Sequence, residues 1–210
     1  MLWNGQKILI ADDNELLRQT LGEFFSLYGF QVLEAPDGDT ALDLALHNHP
    51  FFSILDFHMP GMDGRQVLSA LLNHGFPCLQ DEGRPVLPCI LISAAATPEE
   101  IKSAFDKGAF RFLNKPLSPK DLLTAVQALE QRFQAEQSAE EPQALLPPFQ
   151  GWGGCSGLPV PALGPQLPIP SPSSFPEANF EELIALLRKC RKAGERKEEE
   201  GKEGKQRDKR

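Results

Sequence analysis

Residues 7–133 alternate, five times over, between a short apolar run and a stretch with apolar residues at helical spacing, and this alternation leaves few folds open. The runs at 7–11, 31–34, 52–57, 89–93 and 110–113 have the length and composition of strands. Between them, 14–28, 38–47, 63–72, 98–107 and 118–133 read as helices. The first of these carries Leu16, Leu17, Leu21, Phe24 and Phe25 on its inner face. The last opens on Ser118-Pro-Lys-Asp121, a capping-box start with proline at the first helical position. Strands joined through helices must run parallel, and a parallel sheet is covered on both faces. Right-handed crossovers prune the topologies further. The expectation is a five-stranded, doubly wound α/β sheet. Residues 73–86, dominated by Gly, Pro and charge, are expected to form an external loop before the fourth strand.

The pattern stops near residue 133. Between Pro142 and Pro176, ten of 35 residues are proline and five are glycine, which rules out a long helix or a central strand there. Residues 134–176 therefore read as a linker, extended or disordered. Beyond it, Asn179-Phe-Glu-Glu182 has the form of a helix start, and Phe180, Leu183, Ile184 and Leu187 recur at helical spacing. Residues 177–210 thus read as a short amphipathic helix with a charged end. From Arg188 to Arg210, eleven basic residues outnumber six acidic ones. Residues 1–135 are the reverse, with ten Lys/Arg against seventeen Asp/Glu.

The net charge of −8 argues against nucleic acid as the main partner. Cys78, Cys89, Cys155 and Cys190 have neither C-x-x-C nor zinc spacing, and free thiols in a reducing compartment are expected. No apolar run approaches the length of a membrane span, and the first residues lack the pattern of a signal peptide. A soluble cytoplasmic protein is expected.

The chemistry gathers at the carboxyl ends of the expected strands, where ligands bind in open α/β sheets. The first strand runs into Asp12-Asp13, the third into Asp56, the fourth into Ser93 and the fifth into Lys115-Pro116. Three carboxylates, a hydroxyl and an ammonium thus share one edge. Unit charges ~5 Å apart at an effective dielectric of ~20 repel by roughly 3 kcal/mol, and a hard divalent cation relieves this. Magnesium favours such carboxylates together with water and phosphate oxygens. A carboxylate beside Mg²⁺, faced by a cation and a hydroxyl, is built to accept a phosphoryl group by in-line attack.

Asp12-Asp13, LDFHMPGMDG at 55–64, LISA at 91–94 and GAFRFLNKP at 108–116 together resemble the receiver domain of two-component response regulators over residues 5–133. The resemblance implies a flavodoxin-like sheet in strand order 2-1-3-4-5. It implies Asp56 as phosphoacceptor, and Mg²⁺ held by Asp13, Asp56 and the backbone carbonyl of His58, with Asp12 acting through water. Ser93 would sense the phosphoryl group, Lys115 would contact it, and Phe112 would be the switch aromatic. A cis bond between Lys115 and Pro116 is also implied. Ser93 stands where the family more often has threonine, and Phe112 where it more often has tyrosine. The side chain of His58 reads as an exposed modulator, and His47, His49 and His74 as surface residues.

The leading function is a phosphorelay switch that takes phosphate on Asp56 from a histidine kinase or phosphotransfer protein and signals by protein contact. Its own phosphotransfer and autodephosphorylation would be its only catalysis, so it is not an enzyme in the usual sense. Residues 134–210 hold no helix-turn-helix pattern, and no DNA-binding output domain is expected. The alternative is a constitutive scaffold acting through the tail, which could dock on a partner, the domain's own output face, a membrane surface or nucleic acid. A magnesium-dependent phosphatase is a weaker third reading, since no D-x-D pair ends a strand.

Overall fold

The computed structural model describes residues 5–81, 83–139, 179–185 and 188. Six strands and five helices succeed one another from Lys7 to Ala139. They are β1 (Lys7–Ala11), α1 (Glu15–Leu27), β2 (Gln31–Ala35), α2 (Gly38–Asn48), β3 (Phe52–Asp56), α3 (Gly64–Asn73), β4 (Leu79–Asp81), β5 (Arg84–Ser93), α4 (Pro98–Asp106), β6 (Ala109–Asn114) and α5 (Pro119–Ala139). Five strands form the expected parallel sheet in the order β2-β1-β3-β5-β6. Side chains alternate across the pleat. Ile8 and Ile10 of β1 therefore join Phe24 and Phe25 of α1 and Leu122, Val126 and Leu129 of α5 in one buried cluster. Leu9 and Ala11 turn the other way, into a second cluster with Ala41, Val67, Leu68, Leu71 and Ala104 from α2, α3 and α4.

Local chemistry sets the helix starts. Asn14, Asp37, Asp63 and Thr97 cap α1 to α4, and Asp63 and Thr97 each close a reciprocal capping box, with Gln66 and Glu100.

The expected loop at 73–86 is instead a hairpin. Leu79–Asp81 pairs antiparallel with an early extension of β5, Leu79 opposite Val86 and Asp81 opposite Arg84. Gly83, at φ +78°, supplies a left-handed turn residue that glycine adopts without strain. Leu79 is buried, and α5 fixes the remainder of the hairpin. Glu136 Oε1 accepts from the Gln80 amide at 2.7 Å, and Arg132 donates to the Gln80 carbonyl at 3.0 Å and to Asp81 at 2.7 Å. These contacts explain why α5 outruns its expected end at 133 and continues to Ala139. The β5–β6 register slips between Leu87 and Ile90, across Pro88, which has no amide to donate. The Lys115–Pro116 bond is cis.

The tail helix is present at 180–185. Asn179 caps it, its side-chain oxygen accepting from the Glu182 amide at 2.9 Å. The helix lies on the domain itself: Phe180 meets Phe24 of α1 edge to face at a centroid distance of 5.2 Å, and Phe180, Leu183 and Ile184 are buried in the α1–α5 cluster. Arg188 pairs with Glu23 of α1. Residues 134–139 of the linker expected at 134–176 belong to α5, while its residues 140–176, Leu187, most of the basic end, Cys155 and Cys190 lie outside the described residues. Cys78 and Cys89 are free thiols, and burial pushes the Cys89 thiol up to about 12.

Candidate functional site

Strand order reverses between β1 and β3, and the register of that pair determines what meets there. Ala11 lies opposite Leu55, so the next residue of each strand, Asp12 and Asp56, emerges at the same edge. β3 is buried along its whole length, which carries Asp56 to the floor of the edge rather than its rim. Gly64, the first residue of α3, lets that helix start hard against the strand end. A Cβ there would stand 2.5 Å from the Asp56 carbonyl oxygen.

Asp12 is fully buried and fully partnered. One carboxylate oxygen accepts from the Asn14 amide at 2.9 Å, the other from Lys115 Nζ at 2.7 Å. Its main-chain carbonyl accepts from Arg18 Nη1 at 2.8 Å, while Arg18 Nε lies 3.4 Å from Glu34 on β2. Lys115 reaches Asp56 as well, at 3.2 Å, and so bridges two strand ends. Asp13 is exposed, yet its carboxylate joins those of Asp12 and Asp56 in a group that offers one oxygen from each residue within 4.8 Å of the others. Three carboxylates against one ammonium leave the group two charges negative.

The acceptor's proton affinity reflects its burial first and its charged neighbours second. Burial raises the Asp56 carboxyl above its ordinary value; Lys115 pulls it down, and Asp12 and Asp13 push it up. For Lys115, burial alone would lower the ammonium, but the hydrogen bond to Asp12 and the charges of Asp56 and Asp12 outweigh it, and the net shift is upward. Hard oxygen donors, crowded and under-neutralised, fit a small divalent cation.

Ser93 closes the same edge. Its fully buried hydroxyl donates to the Ala95 carbonyl at 3.1 Å and accepts from the Ala95 amide at 3.3 Å, so it is engaged within the β5–α4 loop. The His58 ring is exposed and also reaches the Ala95 carbonyl, with Nε2 at 3.3 Å. Phe112 is half-buried and meets Phe57 at 5.9 Å, while Arg65 lies over the same Phe57 ring at 4.8 Å. His47 pairs with Asp43 on an exposed helix face, and His49 stacks on Phe76.

The structure therefore brings Asp12, Asp13, Asp56 and Lys115 together, with Ser93 turned to its own loop. It adds two residues that sequence reasoning passed over. Arg18 ties the Asp12 backbone to β2, and its only sequence signal is a lone cation four residues after the Asn14 cap. Gly64 permits the close approach of α3, and its signal is a glycine directly after the Asp63 cap.

The response regulator receiver domain family matches residues 8–127. Response regulator MprA of Mycobacterium sp. (strain KMS) is 32% identical over 136 residues, 65% of this chain and 55% of that protein. Transcriptional regulatory protein SrrA of Staphylococcus aureus is 33% identical over 143 residues, 67% of this chain and 54% of that protein. The chain thus spans about half the length of the curated relatives it matches. Among solved structures, the receiver domain of the putative response regulator NarL from Mycobacterium tuberculosis superposes with a TM-score of 0.52 at 30% identity. It covers 61% of this chain and 99% of its own. The Francisella response regulator 1452 receiver domain gives a TM-score of 0.53 at 28% identity, with the same coverage.

Proposed function

Because the chain belongs to the response regulator receiver domain family, we propose that it is a phosphorylation-controlled switch in which Asp56 takes a phosphoryl group from a histidine kinase or a phosphotransfer protein. The observation that carries this is the carboxylate of Asp56 at a buried strand end, held 3.2 Å from Lys115 and crowded by Asp12 and Asp13. An Asp56 oxygen attacks phosphorus, the bond from phosphorus to the donor imidazole nitrogen breaks, and that nitrogen keeps the electron pair. Lys115 already faces the acceptor oxygen and is placed to hold the charge that gathers on the phosphoryl oxygens.

Asp13, Asp56 and the His58 main-chain carbonyl would hold Mg²⁺ directly, with Asp12 acting through water. When bound, that ion neutralises the crowded carboxylates and the incoming phosphoryl oxygens. Ser93 has to give up the Ala95 carbonyl to reach a phosphoryl oxygen, and that exchange would move the β5–α4 loop against Phe112. A partner then reads the altered face by protein contact. The chain catalyses only its own phosphorylation and dephosphorylation, and it works in the cytoplasm. Among the described residues no helix is long and apolar enough to cross a membrane.

The test is incubation of the protein with acetyl phosphate and Mg²⁺, followed by intact mass. One added phosphate is expected, absent without metal and absent in Asp56→Asn. Labelling that survives in Asp56→Asn would refute the assignment.

A further inference from the structure

The family match ends at residue 127, yet the chain carries a further helix that covers a face of α1. The described residues of this helix are 180–185 and Arg188, and isolated helices shorter than about 12–15 residues are marginal in water. Its helicity therefore depends on the surface it lies on. Phe180, Leu183 and Ile184 face inward together, and the Phe180 ring stands at 89° to Phe24. Arg188 extends the contact to Glu23. Charge favours the same partnership: residues 188–210 carry eleven basic and six acidic residues, while residues 1–135 carry ten basic and seventeen acidic. Three buried side chains, set against the ordering of a short segment, make a contact that forms and releases rather than a permanent part of the core.

We propose that the outer face of α1 around Phe24 is a docking groove for an amphipathic helix, occupied in the resting chain by its own residues 179–185 and Arg188. The groove selects an aromatic residue followed by aliphatic residues three and four positions on, with a cation one turn later to meet Glu23. Residues 140–178 join the two parts in one chain, so their encounter is intramolecular, and tethering of this kind gives an effective concentration on the order of mM. The self-contact therefore dominates at ordinary protein concentrations. A partner that uses this face of α1 has to displace the segment. From Glu15, the first helical residue after the acidic pair, to Phe24 is roughly 13 Å of helical rise, so docking leaves the Asp56 edge open. The assignment does not depend on the phosphoryl chemistry.

The test uses the full chain and a fluorescein-labelled peptide of residues 177–189. Leu183→Asp ejects the helix without touching the sheet, and thermal melting confirms that the variant is folded. In fluorescence anisotropy the peptide is expected to bind Leu183→Asp at least about tenfold more tightly than wild type, whose groove is filled. Adding Glu23→Arg should weaken that binding, and a peptide with Arg188→Glu should restore it. Amides of 21–28 should exchange with deuterium faster in Leu183→Asp than in wild type. Equal peptide binding by both chains, or unchanged exchange over 21–28, would overturn the proposal. So would light scattering showing a wild-type dimer that Leu183→Asp makes monomeric, because the segment would then sit on a second copy.

Discussion

At the scale of single residues, the acceptor carboxylate is held at a cost to the fold. The Asp56 carboxyl is raised by burial, so the folded chain binds its proton more tightly than the unfolded chain does. Its contribution to stability is fully present below the ordinary carboxylate value and is lost as pH rises through the raised one. Asp56→Asn should therefore melt a few degrees higher than wild type at pH 7, and the gain should shrink toward zero as the pH falls below that of an ordinary carboxylate. Calorimetric scans across that range check the sign. Asp12 and Asp13 should separate by role. The Asp12 side chain is fully buried with two polar partners, so Asp12→Ala should lower stability by about 2 kcal/mol in urea unfolding. Asp13→Ala, at an exposed position, should change stability by no more than ~0.5 kcal/mol and weaken Mg²⁺ binding more than Asp12→Ala does, as isothermal calorimetry would record. Gly64→Ala would place a methyl 2.5 Å from the Asp56 carbonyl and should cost about 1–3 kcal/mol while slowing acetyl phosphate labelling.

At the scale of elements, the connection at 73–86 has the composition of a loop but is a hairpin, because two distant pieces hold it. Gly83 allows the turn, but Arg132 and Glu136 of α5 bind the backbone of Gln80. Nothing in residues 73–86 announces partners some fifty positions later. α4 is the opposite case, written locally: Thr97 and Glu100 form its capping box, next to the loop that engages Ser93. Thr97→Ala should cost about 1 kcal/mol, measured by urea unfolding, because one of the first amides of the helix loses its acceptor. Charge tells the same local story there, as the Thr97 backbone amide and hydroxyl hold the Glu100 carboxyl below its ordinary range.

At the scale of the whole molecule, the domain and its tail are joined through α1. A chain ending after Ala139 keeps every site residue and the full α5, and it should be labelled by acetyl phosphate at close to the full-length rate. The same truncation removes Phe180, Leu183 and Ile184 from the α1–α5 cluster, and its melting temperature should fall by several degrees. Differential scanning calorimetry and labelling kinetics on the two chains would separate these effects. An end at 137 would instead cut the last residues of α5, two places beyond Glu136, and disturb the hairpin it holds.

The sequence by itself determined the alternation of strand and helix, the strand order implied by the resemblance, and the set Asp12, Asp13, Asp56, Ser93 and Lys115 at one edge. These depend on period, on caps and on the rule that parallel strands end together, all of which act within a few residues or follow from topology. Only the tertiary structure decided that Lys115 bridges Asp12 and Asp56, that Ser93 is engaged with Ala95, and that the short helix at 180–185 lies on α1. Each of those is a choice among partners far apart in the chain. Burial and charge settle such choices once the fold has brought the candidates within a few ångströms, and no local pattern of residues encodes them.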